Sequence, residues 1–303
     1  MPVKKEMAGL DLEGKDDALH ALIEDENCIT LRKRRSVAEI LKSRDLAVEG
    51  LNAMPEHVGT LLRGSGASDY KMDEYSDLDF HIICTHLPVA ESREQLHRQL
   101  GNQGYDNKDM CEWSNINGLP VTFCFVPERN QLAALDLLEQ EGLENALMDF
   151  SDSTKLNKYT IPGYGWSHGK ILSDPSGRLA SFRDRALKFP EAYRVRTMSQ
   201  WSSVWSRHSQ IFLESFEDDA VTASMSLHLC IQAAVKVLLA KHRIYCDPVA
   251  FKWVTLELKH LPPEVGAKLK EPLGHLPAKP GIPLAKRFEQ ISEVWKLSGL
   301  RMD

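Results

Sequence analysis

The sequence predicts an α+β fold in which a mixed sheet flanked by helices is followed by an all-α helical bundle. Up to about residue 178, short runs rich in branched and aromatic residues alternate with segments of helical periodicity. Beyond that point the chain shows long segments of helical spacing, over 190–216, 219–244, 248–260 and 283–298. We therefore expect three parts, namely a weakly determined arm (1–30), a sheet domain (31–180) and a helical domain (181–303).

Local patterns predict the elements of the sheet domain. Apolar residues at helical spacing predict a helix over 31–51 that ends before Pro55. The Asn117-Gly118 dipeptide predicts a tight hairpin turn within 112–126, because both residues tolerate a positive φ. Further strands are predicted over 57–62, 78–84 and 171–172, and further helices over 91–102 and 132–150.

Composition excludes several classes of partner. The 303 residues carry a net charge of -6, so no overall basic field would hold long nucleic acid by its phosphates. No apolar run approaches the roughly 20 residues that span a bilayer, and no secretory signal is visible after Met1. The six cysteines form no Cys-x-x-Cys pair and are expected to be reduced, buried thiols. We expect a cytoplasmic protein with no membrane partner.

One stretch, residues 63–84, concentrates the chemistry. Gly64 and Ser65 follow a predicted strand, and Asp77 and Asp79 open the next one. Side chains alternate along a strand, so both carboxylates should project from one face, about 6.5 to 7 Å apart at their Cα atoms. Magnesium commonly takes one or two carboxylates together with phosphate oxygens. Each motif alone is common in solvated loops, but their combination favours a metal and phosphate site.

The same residues carry a family resemblance. Gly64, Ser65, Ala67 and segment 73–79, which includes Asp77 and Asp79, resemble the signature of the DNA polymerase β-like nucleotidyltransferase superfamily. The branch that looks most similar contains the bacterial aminoglycoside and lincosamide nucleotidyltransferases. Segments 169–179 and 227–253 are similar to later parts of such proteins, so the resemblance covers roughly residues 35–265.

The resemblance implies an activity. ATP or another nucleoside triphosphate would bind at Gly64 and Ser65, with Arg63 and Lys252 as further nucleotide contacts. Asp77 and Asp79 would be the catalytic residues and would hold one or two magnesium ions. A nucleoside monophosphate, AMP in the first instance, would pass to a hydroxyl of a small-molecule acceptor such as an antibiotic. From the residues alone, Arg63 could equally be a surface group, and Lys252 a lysine whose stem covers apolar surface.

One position departs from the superfamily pattern. A third carboxylate commonly lies on a neighbouring strand, whereas the aligned position here is Thr122. Threonine is neither a strong magnesium ligand nor a general base. Glu112 and Glu128 flank that strand and could substitute, although each could also be a surface acid. The alternative hypothesis is therefore a nucleotidyltransferase-like protein without turnover, acting as a nucleotide sensor or an antitoxin-like protein-binding module.

Overall fold

A computed structural model describes residues 35–67, 72–73, 76–101, 106–108, 111–143, 160–245, 260–267 and 284–300. The predicted arm over 1–30, all but the last residue of the predicted helix over 248–260, and Lys252 lie outside the described residues. The proposed division into domains stays a prediction.

The centre of the fold is a mixed sheet of six strands in the order β3-β4-β5-β2-β1-β6. Strands β2 and β5 are parallel, and all other neighbouring strands are antiparallel. The strands are β1 (His57–Arg63), β2 (Leu78–Cys84), β3 (Asp106–Lys108), β4 (Cys111–Ile116), β5 (Leu119–Pro127) and β6 (Lys170–Ser173). The predicted mixed sheet is confirmed.

Helices flank the sheet and then continue beyond it. Ser36 caps the first helix through a capping box with Glu39, which satisfies N–H groups that the helix leaves open. The described helices are α1 (Val37–Asn52), α2 (Ala90–Gln99), α3 (Glu128–Glu141), α4 (Gly163–His168), α5 (Arg178–Leu187), α6 (Glu191–Ser215), α7 (Ala220–Lys241) and α8 (Leu284–Lys296). The predicted α+β class, with long helices following the sheet, is confirmed.

The two faces of the sheet bury different cores. On one face, Phe80 packs with Leu51 of α1 and Leu96 of α2. On the other face, Leu61 and Ile83 pack with residues of α3 to α7, such as Phe182, Tyr193 and Ala240. Because side chains alternate along each strand, Asp79 of β2 and Thr122 of β5 share this second face with Ile83 and Val126. We call it the site face.

The predicted helix over 132–150 has the wrong bounds. It begins at Glu128 and ends at Glu141, because Gly142 adopts a left-handed φ of 67° and its N–H bonds back to Leu138. A Cβ atom at Gly142 would also lie 2.3 Å from the carbonyl oxygen of Ala192. Three elements, β3, α4 and α5, had no sequence prediction.

Helix α7 is the core helix of the later part. Among the described residues it alone is apolar and long enough to cross a membrane, with a mean hydropathy of 1.5 over its best window, so the expectation that no apolar run approaches that length is wrong. That window is 72% buried within the protein, as in the core helix of a soluble protein. Lys236 of α7 lies 4.1 Å from the ring centroid of Trp201, and Trp205 stacks on Trp295. Both tryptophans of α6 are therefore packing residues.

Candidate functional site

A glycine turn at the end of β1 lies directly against the carboxylate of Asp79. Gly64 has a φ of 67°, and Ser65 opens a single turn of 3-10 helix over Ser65–Ala67. A Cβ atom at Gly64 would lie 2.9 Å from Oδ2 of Asp79. Only glycine combines this backbone conformation with so close an approach. The structure thus brings together the two halves of the predicted site.

Asp77 and Asp79 occupy slightly different settings. Asp79 is the second residue of β2, whereas Asp77 immediately precedes the strand. The turn also packs on Asp77, because a Cβ atom at Gly66 would lie 3.1 Å from its carbonyl oxygen. Both aspartates are partly exposed, so both remain accessible to a ligand.

Strand pairing places four residues in one row across the sheet. Arg63 pairs with Asp79 on the neighbouring strand, Asp79 pairs with Thr122, and Thr122 pairs with Trp113. Residues paired in this way share a face of the sheet, and in antiparallel pairs their Cβ atoms lie about 4.5 to 5.5 Å apart. Thr122 therefore stands beside Asp79, as the family resemblance implied.

Arg63 runs along the site face to a histidine. Its Nη1 lies 3.1 Å from Nε2 of His81, and His81 is buried. A guanidinium can only donate, so Nε2 of His81 accepts and the ring proton resides on Nδ1. Helix α4 covers this arginine, since a Cβ atom at Gly165 would lie 2.9 Å from its Nε. Arg63 is thus directed toward His81 and Gly165.

The buried thiol of Cys124 also lies on the site face. Cys124 follows Thr122 by two residues on β5 and pairs with Cys111 on β4. A hydrogen bond with Cys111 and burial raise the pKa of the Cys124 thiol; Asp79 raises it further, and Arg63 lowers it. The thiol is consequently neutral at pH 7 and contributes no charge to the site.

Neither glutamate considered as a substitute for the third acid reaches Asp79. Glu112 is fully buried, accepts hydrogen bonds from Arg93 (2.6 Å) and His97 (2.8 Å) of α2, and pairs with Phe123, whose side chain belongs to the opposite face. Glu128 opens α3 beyond the far end of β5, where it forms an ion pair with Arg178. Glu128 follows Thr122 by six positions in the chain, about 20 Å in extended conformation.

Sequence reasoning missed three neighbours of the site. His81 could have been found from alternation, because it follows Asp77 and Asp79 at the same two-residue spacing. Cys124 could have been found in the same way, because it follows Thr122 by two residues on β5. Gly165 carries no local signal, since its role arises only from the approach of Arg63.

The donor set suits magnesium bound together with a phosphorylated ligand. The described part of the chain contains no group of three or more His, Cys, Asp or Glu residues that could hold a metal ion by themselves. Asp77, Asp79 and the hydroxyl of Ser65 offer oxygen donors only, which hard cations prefer. Two carboxylates leave coordination positions for phosphate oxygens and water, which is how magnesium is commonly held at nucleotide sites.

Comparisons with known proteins give structural likenesses at low sequence identity, one of which is described here. No family model matches the chain, and no curated protein matches it. A crystal structure of a nucleotidyltransferase-like protein from Exiguobacterium sibiricum 255-15 is similar over 86% of this chain and 77% of that chain. The identity is 16% and the TM-score 0.41. The fold class above rests on the sheet and helices themselves.

Proposed function

We propose that this protein is a magnesium-dependent nucleotidyltransferase that moves a nucleoside monophosphate, AMP from ATP in the first instance, onto a hydroxyl of a small molecule. The observation that carries the proposal is the contact between the turn at Gly64 and the carboxylate of Asp79. It joins a phosphate-binding backbone to a metal-binding side chain, and nucleotide transfer needs both in one place.

Each group has a task in this reaction. The backbone around Gly64 and the hydroxyl of Ser65 bind phosphate oxygens, while Asp77 and Asp79 hold the cation. Bound magnesium supplies positive charge against the α-phosphate and the departing pyrophosphate. The acceptor oxygen forms a bond to the α-phosphorus, the bond to the β-phosphate oxygen breaks, and the acceptor proton is lost to solvent or to a base. The residues contribute by positioning and charge neutralisation.

The proposal extends to the chemical class of the acceptor and to the cellular location of the protein. A net charge of -6 favours a cationic acceptor, and aminoglycosides and lincosamides are the antibiotic classes to which the sequence resemblance points. A cytoplasmic location accords with free thiols at Cys84, Cys111, Cys124 and Cys230.

Calorimetric titration with ATP and magnesium tests the binding half of this proposal. We expect the wild type to bind ATP in the presence of magnesium, and the Asp77→Ala/Asp79→Ala variant to bind far more weakly. Asp218→Ala, which removes an exposed aspartate between α6 and α7, serves as the matched control. Equal binding by the double variant and the wild type would refute the proposed site.

A second candidate function follows from Thr122. A protein that keeps nucleotide binding without the third acid could act as a nucleotide sensor or a protein-binding module. Incubation with ATP labelled in the α-phosphate and a panel of hydroxyl acceptors and proteins separates the two candidates. Transfer of label that depends on Asp79 supports the enzyme. ATP binding without transfer to any acceptor in the panel supports the sensor.

A further inference from the structure

The site face carries a fixed positive charge beside the metal-binding carboxylates. Arg63 is the strand partner of Asp79, and a guanidinium remains protonated at every physiological pH. Its Nη1 lies 3.1 Å from Nε2 of His81, which follows Asp79 by two residues on the same face of β2. Arg63 thus lies within the electrostatic neighbourhood of the carboxylate.

Two contacts hold Arg63 in this place. His81, which is buried, accepts a hydrogen bond from its Nη1. Gly165 leaves room for the arginine stem, since a Cβ atom there would lie 2.9 Å from Nε and 3.3 Å from Cδ. A flexible surface arginine would need neither a buried acceptor nor a cleared path beneath a helix.

The neighbour of Asp79 on its other side, across from Arg63, adds no negative charge to offset that of the arginine. Thr122 is neutral, and it occupies the strand position next to Asp79 where a further carboxylate would face the same cluster. The carboxylates of Asp77 and Asp79 and the guanidinium of Arg63 together carry one net negative charge. Two divalent cations held about 3.5 to 4 Å apart repel each other strongly and depend on several carboxylates to offset that repulsion.

We propose that this site takes one divalent cation with its nucleotide rather than two, because Arg63, held by His81 and Gly165, already provides positive charge and Thr122 provides no third carboxylate. This inference rests on the proposed nucleotidyl-transfer function. It specifies a property of the chain's own residues, the charge balance around Asp79, which can be measured without turnover.

Titration with Mn²⁺ tests the stoichiometry directly. The protein is mixed with an excess of an ATP analogue in which a methylene group replaces the α,β-bridging oxygen. Mn²⁺ is then added, and electron paramagnetic resonance measures the concentration of free Mn²⁺. The count is corrected for Mn²⁺ bound by the analogue alone. The wild type should bind one Mn²⁺ per chain in its complex with the analogue. Thr122→Asp should bind a second, whereas Thr122→Asn, of the same size and uncharged, should still bind one.

Arg63→Gln provides an independent variant should Thr122→Asp fail to fold. Removing the guanidinium should tighten binding of Mn²⁺ about tenfold, the lower end of what a neighbouring charge does to a carboxylate's proton affinity. Two tightly bound Mn²⁺ ions in the wild type would overturn the inference and leave the proposed function intact. A folded Thr122→Asp that binds only one ion, or an unchanged affinity in Arg63→Gln, would also overturn it. No Mn²⁺-dependent binding of the analogue would overturn the proposed function itself.

Discussion

Gly64 stands so close to Asp79 that a Cβ atom in its place would lie 2.9 Å from the carboxylate oxygen Oδ2. A substitution to alanine has two costs. Alanine is strained at a φ of 67°, by roughly 1 kcal/mol, and its methyl group displaces the carboxylate. We expect Gly64→Ala to lose at least about tenfold in affinity for magnesium and ATP, a free-energy change of about 1.4 kcal/mol.

Gly177 offers a matched control for this prediction. Its φ is 71°, but a Cβ atom there would meet no atom within 4 Å. Gly177→Ala should therefore show a similar loss in the free energy of unfolding with unchanged binding in the same calorimetric titration. If both alanine variants bind alike, the contact between Gly64 and Asp79 does not control the site.

Glu112→Gln should destabilise the fold without changing the proposed nucleotide site. Glu112 is fully buried between Arg93 and His97, so loss of its charge leaves a buried guanidinium uncompensated. Removal of one partner from such a pair typically costs about 3–5 kcal/mol. Urea unfolding measures the loss, and ATP binding per folded molecule should match the wild type at a temperature where the variant is folded.

Glu128→Gln is the companion variant, because Glu128 was the other candidate for the third acid. Its ion pair with Arg178 is partly exposed, and such pairs contribute about 0–1 kcal/mol. Glu128→Gln should therefore be close to wild type both in its free energy of unfolding and in its ATP binding. A specific loss of ATP binding in either variant would restore that glutamate as a site residue.

The sequence predicted best where short-range patterns decide the outcome. The strand over 78–84 and the turn at Asn117-Gly118 were placed correctly, since alternation and turn chemistry are local. The family resemblance implied that Thr122 lies on a strand neighbouring Asp79, and the two residues are indeed strand partners.

The residues that surround the site were harder to predict because contacts distant in sequence define them. By sequence pattern Arg93 and His97 are polar helix residues that would be assigned to the surface, but in the fold both donate hydrogen bonds to Glu112 of β4. The need for glycine at position 165 arises only from the nearby side chain of Arg63, which is distant in sequence. A buried polar group is recognisable only through its partner, and one-dimensional periodicity assigns such residues to the surface.

His57 should make stability depend on pH. Burial lowers the pKa of this histidine, whose Nε2 lies 2.8 Å from Oγ1 of Thr60. The unfolded chain therefore binds a proton more readily than the folded one, so stability falls as pH drops below the ordinary histidine pKa of about 6.5. Above that pH the effect vanishes, because both states are neutral.

Urea unfolding of the wild type and His57→Gln between pH 5 and 7.5 measures this effect. The free energy of unfolding should fall less steeply with decreasing pH in the variant, because one preferentially protonated group of the unfolded state is gone. Parallel slopes for wild type and His57→Gln would contradict the prediction.

His81→Leu should destabilise the protein by removing the acceptor for Arg63. The 3.1 Å contact satisfies one donor of a half-buried guanidinium, and an unsatisfied buried donor costs about 1–3 kcal/mol. His81→Gln can present a side-chain oxygen at a similar reach and should recover most of the loss in urea unfolding. Nitrogen chemical shifts of the wild-type ring give a second measurement: Nδ1 should be protonated and Nε2 unprotonated at pH 7. A proton on Nε2, or equal stability of the leucine and glutamine variants, would show that Arg63 is held by other groups.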